Sequence, residues 1–289
     1  MSALWAALLA ALLAGLALAG EVFVSATEAE ALRAGGAVFL DARGDDWSGG
    51  HIPGSAPMDW LALRDGSFRT GRLDGLDDLG AALRTAGVGQ GTVVVYGAGR
   101  DGWGEEGRIY WMLDYLGHPD ARILDGGWPA WTAAGLPVSQ EIQEDQESPA
   151  PPQGDFQPRP LETRRAVQVE VEAARTSEAV IWDTREAREY AGETPYGEAH
   201  GGHIPEAVHL WYADLTAADG TLKPEPELRS LLAGAGVPLD APVIALCTGG
   251  VRSGFAYAVL RELGHPSPSN YAGSMWEWTA ADLPVKEGP

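Results

Sequence analysis

Short apolar runs, each bounded by glycine, proline or charged residues, recur along this chain and predict the buried strands of an α/β fold. The clearest run covers residues 242–246 and leads directly into Cys247, a glycine-rich loop and a helical segment. Runs of the same character lie at 38–40, 93–95 and 180–182. In a tight turn between a strand and a helix, backbone amides point at one spot and favour negative charge there. The pattern therefore predicts that Cys247 has a lowered pKa and is partly ionised to the nucleophilic thiolate.

The chain contains the same series of sequence blocks twice, in the same order. The matched blocks are a strand ending in Asp-x-Arg (38–43 and 180–185), Gly-His-Ile-Pro (50–53 and 202–205), a further apolar strand with the position after it (93–97 and 243–247), and a segment from glycine to Trp-Thr (126–132 and 273–279). The spacing is longer than that of solenoid repeats and indicates duplication of a whole domain. We expect one domain at residues 21–138 and a second at 161–289, since 289 residues suffice for two ordinary cores.

The segment at residues 139–160 differs from both repeats. It is acidic and rich in glutamine and proline, which predicts a linker with extended character. A linker of this length lets the two domains dock face to face. We therefore expect the active site to lie at the domain interface, where small-ligand pockets commonly occur.

The N-terminal segment belongs to neither repeat. Residues 3–19 are an unbroken run of alanine, leucine and glycine with one tryptophan, and the run ends in the small-x-small sequence Ala-Leu-Ala. This pattern predicts a signal peptide at residues 1–20 and an exported, periplasmic protein. The alternative is an uncleaved membrane anchor, because no lysine or arginine precedes the run and its length is nearly sufficient to span a bilayer.

The composition excludes several classes of partner. A formal net charge of −21 argues against nucleic acid and against attraction to anionic membrane surfaces. A small anion can still bind, because loop amides and a few arginines act at short range while distant surface charge is screened. The single cysteine excludes an internal disulfide. No glycine-rich phosphate loop with its lysine occurs, so nucleotide hydrolysis has no support.

The order of Asp-x-Arg, Gly-His-Ile-Pro, strand-cysteine-loop-helix and the glycine-to-Trp-Thr segment resembles the rhodanese superfamily. Two tandem copies with a cysteine only in the second resemble the thiosulfate and 3-mercaptopyruvate sulfurtransferases, from about Glu21 to the C-terminus except in the linker. The resemblance implies two tandem α/β domains, each with a central parallel sheet flanked by helices. It also implies that Cys247 carries sulfur as a persulfide from a small anionic donor to cyanide or a thiol, with no metal or organic cofactor.

Cys247 is the predicted catalytic nucleophile, and the residues predicted to bind substrate belong to its loop or to a neighbouring strand end. They are Thr248, Gly249, Gly250, Val251, Arg252 and Arg185. A guanidinium at Arg252 would add to the loop dipoles and stabilise a thiolate or persulfide, whereas a solvated or carboxylate-paired arginine is the alternative. The resemblance implies that Arg185 reaches the substrate anion.

The first repeat has Gly97 at the position of Cys247, so domain one lacks the nucleophile for this reaction. Its loop at residues 97–107 is longer and carries two acidic residues in a row. We expect this loop to pack against domain two and to lend residues to the pocket wall. Trp47 is a further candidate for the wall, and a buried aromatic with no functional role is the alternative.

Glu189 bears on the choice of sulfur donor. By the resemblance, mercaptopyruvate enzymes have a second arginine at this position, and a carboxylate would repel the carboxylate of mercaptopyruvate. Thiosulfate is therefore the expected donor. The alternative is 3-mercaptopyruvate, because Arg188 is adjacent and could compensate.

Residues that recur in both repeats are interpreted as structural. His203 has two further histidines nearby in sequence, which could indicate a metal site, but Gly-His-Ile-Pro recurs at His51 without such neighbours. Asp41 and Asp183 also recur, each at a strand end. These four residues are therefore expected to serve the fold.

Two other functions use a comparable cysteine loop. Cysteine phosphatases that share this fold place one residue more between cysteine and arginine than the four between Cys247 and Arg252, and the shorter loop suits a sulfur atom better than a phosphate. The second is a non-catalytic carrier that holds a persulfide for a partner protein. It predicts a loaded cysteine without turnover on small donors.

Overall fold

A computed structural model describes residues 21–67, 69–140 and 153–288. The predicted signal peptide or anchor at residues 1–20 lies outside the described residues, as does the part of the predicted linker at 141–152. Among the residues that are described, no helix is both long enough and apolar enough to cross a membrane.

The first repeat forms a five-stranded parallel sheet in the spatial order β1-β5-β4-β2-β3. Its strands are β1 (Phe23–Val24), β2 (Val38–Asp41), β3 (Ala56–Pro57), β4 (Val93–Tyr96) and β5 (Ala121–Leu124). Its helices are α1 (Ala26–Ala34), α2 (Leu76–Thr85), α3 (Glu105–Tyr115) and α4 (Gly127–Ala133). The predicted apolar runs become β2 and β4, and β4 is buried along its whole length, as expected for a parallel strand covered on both faces.

The second repeat forms a sheet of the same size and order, β6-β10-β9-β7-β8. Its strands are β6 (Arg165–Ala166), β7 (Val180–Asp183), β8 (Val208–His209), β9 (Val243–Leu246) and β10 (Pro268–Tyr271). Its helices are α5 (Gln168–Ala174), α6 (Ala187–Ala191), α7 (Glu225–Gly234), α8 (Arg252–Glu262) and α9 (Ser274–Ala280). The identical strand order confirms the predicted pair of tandem parallel α/β domains.

Strand β9 sets the position of the cysteine loop. It pairs with β7 on one side and β10 on the other, in the interior of the second sheet. Cys247 follows the last residue of β9, and α8 begins five positions later at Arg252. Cys247 therefore lies at the carboxyl edge of a parallel sheet, the edge at which open α/β sheets bind ligands.

The two repeats dock through α3 and α8, which pack at backbone contact. A Cβ added to Gly107 would lie 2.2 Å from the Cα of Phe255, and one added to Gly254 would lie 2.7 Å from the Cα of Arg108. Only glycine permits so close an approach of two helices. One hydrophobic core consequently continues from β4 and α3 of domain one into β9 and α8 of domain two.

The described C-terminal part of the predicted linker follows the surface of domain one. The amide of Gly154 donates a hydrogen bond of 2.8 Å to the carbonyl of Arg84, and the amide of Phe156 donates one of 3.2 Å to Val88. The Phe156 side chain is buried in the core of domain one. This portion is therefore held by both backbone hydrogen bonds and apolar burial.

Candidate active site

Cys247 is buried at the base of the loop that joins β9 to α8. Its Sγ accepts a hydrogen bond of 3.1 Å from the backbone amide of Gly250, and the Ser253 hydroxyl lies 3.6 Å away. Gly250 has φ of +78°, the left-handed conformation that favours glycine, and this turn aims its amide at the sulfur. The predicted focus of backbone amides on the cysteine is thus present in the fold.

The surroundings of Cys247 favour the thiolate. Burial raises the pKa of the thiol, but the charge of Arg252 and hydrogen bonds from Ser253 and Gly249 outweigh burial, and the net effect is a lowered pKa. A lowered pKa increases the fraction of the nucleophilic form near neutral pH. The geometry therefore supports a reactive cysteine rather than an inert buried one.

Arg252 is close to the sulfur, but its charge is paired. It donates hydrogen bonds of 2.6 and 2.8 Å to the two carboxylate oxygens of Glu189, which is fully buried. Burial raises the pKa of Glu189, yet hydrogen bonds and charge from Arg252 outweigh burial and lower it. The rings of Trp103 and Tyr196 lie 5.5 and 5.4 Å from the guanidinium carbon. Arg252 is therefore held in place by a carboxylate and two aromatic rings.

Thr248 links this ion pair to a second carboxylate. Its hydroxyl accepts a hydrogen bond of 2.8 Å from Arg252 and lies 2.8 Å from Glu189 and 3.0 Å from Glu198. A hydroxyl has one proton, so it serves only one of the two carboxylates at a time. The hydroxyl of Thr248 is therefore engaged by hydrogen bonds within the wall of the site.

Arg185 is buried, and its guanidinium is engaged by neighbouring groups of domain two. Its guanidinium donates hydrogen bonds of 2.9 and 2.6 Å to Asp183 and one of 2.8 Å to the carbonyl of Gly202. Arg43 makes the same contacts with Asp41 and Gly50 in domain one, where no nucleophile is present. A buried carboxylate requires a counter-charge, and Arg185 supplies it to Asp183 at a strand end. That Arg185 also binds the substrate anion stays a prediction.

The histidines of the two Gly-His-Ile-Pro motifs have the same structural role in each repeat. The His203 ring stacks on Tyr190 at 3.7 Å and bonds its carbonyl through Nδ1 at 2.9 Å. The His51 ring stacks on Trp47 at 4.0 Å and bonds its carbonyl at 3.2 Å. Trp47 is thus partly buried against His51 in domain one and is not among the residues that line the cavity above Cys247. Within residues 21–67, 69–140 and 153–288, no group of three or more potential ligands is arranged to hold a metal ion.

A cavity of about 290 Å³ opens above Cys247 between the two domains. Domain one contributes Trp60, Trp103 and Glu105 to its wall, and domain two contributes Tyr196, Trp276 and the cysteine loop. The cavity lies at the interface where the active site is predicted, and the loop at 97–107 lends Trp103 and Glu105 to its wall as expected. Burial raises the pKa of Glu105. The sequence did not identify Trp60, Tyr196 or Trp276 as wall residues. Trp276 lies in the repeated block at 273–279, but that block does not show which side chains face the cysteine.

Domain one fills the place of the nucleophile with a carboxyl group. A Cβ added to Gly97 would lie 2.0 Å from Oε2 of Glu106. Burial, together with the charge of Glu105, raises the pKa of Glu106 to about 8. Glu106 is thus mostly protonated at neutral pH, and the corresponding site of domain one carries no thiol.

A duplicated parallel α/β domain with a thiolate-favouring loop at an interdomain cavity defines a cysteine-dependent group-transfer protein. The profile of the rhodanese-like domain matches residues 25–134 and 168–281. The chain therefore belongs to the rhodanese family, and it is a sulfurtransferase.

Curated relatives span most of the chain. A thiosulfate sulfurtransferase of Pseudomonas aeruginosa is 35% identical over 245 residues, covering 82% of this chain and 86% of that protein. A sulfur carrier protein of Thermus thermophilus is 30% identical over 259 residues, covering 83% and 86%. Among solved structures, an anaerobic ergothioneine biosynthesis enzyme from Chlorobium limicola, in complex with trimethyl histidine, has a TM-score of 0.81 at 24% identity. The structural alignment covers 93% of this chain and 71% of the enzyme, and at this identity it supports a shared fold alone.

Proposed function

We propose that this sulfurtransferase moves a sulfane sulfur from thiosulfate to a thiol or cyanide through a persulfide on Cys247. The observation that carries the proposal is the position of Cys247 Sγ, which accepts the Gly250 amide at 3.1 Å beneath the interdomain cavity. A thiosulfate sulfurtransferase among the relatives supports it.

The reaction divides into two displacements at sulfur. The Cys247 thiolate attacks the outer sulfur of thiosulfate, a new sulfur–sulfur bond forms, and sulfite departs with the electron pair of the broken bond. The acceptor thiolate or cyanide then attacks the outer sulfur of the persulfide, and Cys247 leaves as the thiolate. The amide of Gly250 stabilises negative charge on the cysteine sulfur in both steps.

The charges around Glu189 favour thiosulfate over 3-mercaptopyruvate as the donor. Glu189 occupies the side of Arg252 on which a substrate carboxylate would need a free guanidinium. Arg188 does not compensate, since it is about half exposed and donates a hydrogen bond of 2.8 Å to Glu186. A carboxylate donor would therefore meet a buried negative charge at this position.

The acceptor side of the proposal rests on the size and character of the cavity. At about 290 Å³, with four aromatic rings in its wall, it accommodates an organic thiol as well as cyanide. The alternative is delivery of the persulfide sulfur to a protein partner, for which the sulfur carrier among the relatives is the supporting observation.

Intact-mass measurement tests the persulfide directly. Thiosulfate treatment should add the mass of one sulfur atom, and a thiol or cyanide should then remove it. Because Cys247 is the only cysteine, Cys247→Ala should lose both the adduct and the turnover. Turnover that persists in this variant would overturn the proposal. Persulfide formation on Cys247 without turnover on any small acceptor would favour the non-catalytic carrier that delivers sulfur to a partner protein.

Steady-state kinetics with the two donors test the ranking. We expect a higher kcat/KM for thiosulfate than for 3-mercaptopyruvate, with cyanide as the common acceptor. Arg188→Ala tests the alternative that Arg188 compensates for Glu189, and it should leave the ratio unchanged, because this arginine is engaged with Glu186. A preference for mercaptopyruvate would reverse the assignment.

A further inference from the structure

Arg108 of α3, in the domain without a nucleophile, extends behind the cysteine loop of the other domain. Its side chain is 1% exposed. It donates hydrogen bonds to the carbonyl of Gly71 and, at 3.4 Å, to the carbonyl of Gly250. Its guanidinium carbon lies 4.8 Å from the ring of Trp111. Within the described residues no carboxylate forms an ion pair with Arg108, so its hydrogen bonds go to uncharged groups.

Glycines let Arg108 reach the loop. The crossing of α3 and α8 at Gly107 and Gly254 places the Arg108 backbone against α8. At Gly250, a Cβ would lie 2.8 Å from Nη1 of Arg108, so any side chain there would displace the guanidinium. The residue whose amide holds the cysteine sulfur is thus also the residue whose carbonyl receives the arginine.

A cation buried without a carboxylate is unfavourable unless another negative charge lies near it. Burial lowers the pKa of Arg108 to about 9, and the negative charge of Cys247 acts in the opposite direction. The guanidinium of Arg252 is different, because Glu189 binds it through two hydrogen bonds. The counter-charge that the structure offers to Arg108 is therefore the ionised sulfur of Cys247.

We propose that Arg108 is a positioning residue that holds the cysteine loop from behind and supplies, from domain one, a second cation besides Arg252 that stabilises the Cys247 thiolate and persulfide. This inference builds on the proposed function, which identifies Cys247 as the sulfur carrier. It assigns to the domain that lacks a nucleophile a direct part in the reactivity of the other domain.

Each of the other charged or titratable groups near the sulfur is paired or has a pKa that burial raises. From α8 and its loop they are Arg252, paired with Glu189, and the Ser253 hydroxyl. From domain one, Glu105 lines the cavity with a pKa that burial raises. Tyr212 also interacts electrostatically with Cys247, and burial raises its pKa well above the physiological range, so the phenol stays neutral. Arg108 therefore remains the unpaired charge among these groups.

The test is the pH dependence of alkylation of the full chain by iodoacetamide, since Cys247 is the only thiol. Arg108→Met removes the charge and keeps much of the length. We expect the apparent thiol pKa to rise by about one unit or more. Arg108→Lys retains the charge and should restore most of the wild-type value. The measurement needs no sulfur donor, so it can fail while the proposed sulfur transfer still holds.

Ile109→Ala is the matched control, because the neighbouring buried residue can be truncated without changing charge. It should lower the melting temperature and leave the thiol pKa unchanged. A wild-type pKa in folded Arg108→Met, or an equal shift in Ile109→Ala, would overturn the proposal.

A reciprocal measurement decides the case if Arg108→Met does not fold. The lowered thiol pKa stabilises the fold above the pKa of the unfolded thiol, and this stabilisation is lost as pH falls through the folded-state pKa. Cys247→Ser should thus be less stable than wild type near pH 9, by a gap that closes at acid pH. In folded Arg108→Gln, which removes the charge but keeps hydrogen-bond donors, the gap near pH 9 should shrink, whereas in Arg108→Lys it should persist. An unchanged gap in Arg108→Gln would contradict the inference.

Discussion

Replacing Glu189 by glutamine separates the charge of the buried ion pair from its shape. The carboxylate accepts both hydrogen bonds of Arg252, at 2.6 and 2.8 Å, in a fully buried position. The amide preserves the volume and one acceptor oxygen, but it turns an NH₂ group toward one arginine nitrogen. Glu189→Arg is a poorer experiment, because it would bury two guanidinium groups against each other.

The expected loss follows from the two contacts. A hydrogen bond to a charged group contributes about 1.5–3 kcal/mol, and Glu189→Gln removes one such bond and weakens the other. We therefore expect a loss of about 3 kcal/mol in the free energy of unfolding, or a fall of about 6–12 °C in Tm. Arg252 then has no carboxylate on that side, so the KM for thiosulfate should fall by up to about tenfold.

Thermal unfolding and steady-state kinetics measure these two effects. Glu225→Gln is the matched control, because Glu225 pairs with the half-exposed Arg229 on α7 and such surface pairs contribute about 0–1 kcal/mol. The folded-state pKa of Glu189 is lowered, so its stabilisation is present above the unfolded pKa and lost as pH falls through the folded one. The Tm difference should accordingly narrow in acid. Equal Tm values for the two variants, or a raised KM for thiosulfate in Glu189→Gln, would refute the reasoning.

Three further results are expected. Gly250→Ala should impair folding and abolish sulfur uptake measured by intact mass, since φ is +78° and the new Cβ would lie 2.7 Å from the Ala272 backbone. Trp103→Ala should raise the KM of aromatic thiol acceptors by about 2- to 10-fold, which is more than it raises the KM of cyanide, since cyanide needs no ring contact. We also propose export, with a mature periplasmic protein that begins near Gly20. N-terminal sequencing after fractionation distinguishes it from a full-length membrane-bound form, and full-length cytoplasmic protein would contradict both.

The features that the sequence predicted correctly depend on residues close together along the chain. The apolar runs predicted β2, β4, β7 and β9, and the repeated blocks predicted two domains of one fold. The run before Cys247 and the glycines after it predicted the strand, the turn and the aimed amide. Hydrophobic periodicity and turn chemistry act over a few neighbouring residues, so the strands and the turn can be predicted from the sequence.

The charge pairs around the site depend on contacts across the fold, which the sequence does not show. Arg185 and Arg252 are both arginines near the cysteine, yet one binds Asp183 and the other Glu189. Arg108 has no motif that connects it with Cys247, and the docking of α3 on α8 brings the two together. In a buried site the effect of a charge depends on its distance from other charges and on its exclusion from water. Those two quantities are set by how the domains pack, and only the tertiary structure decides them.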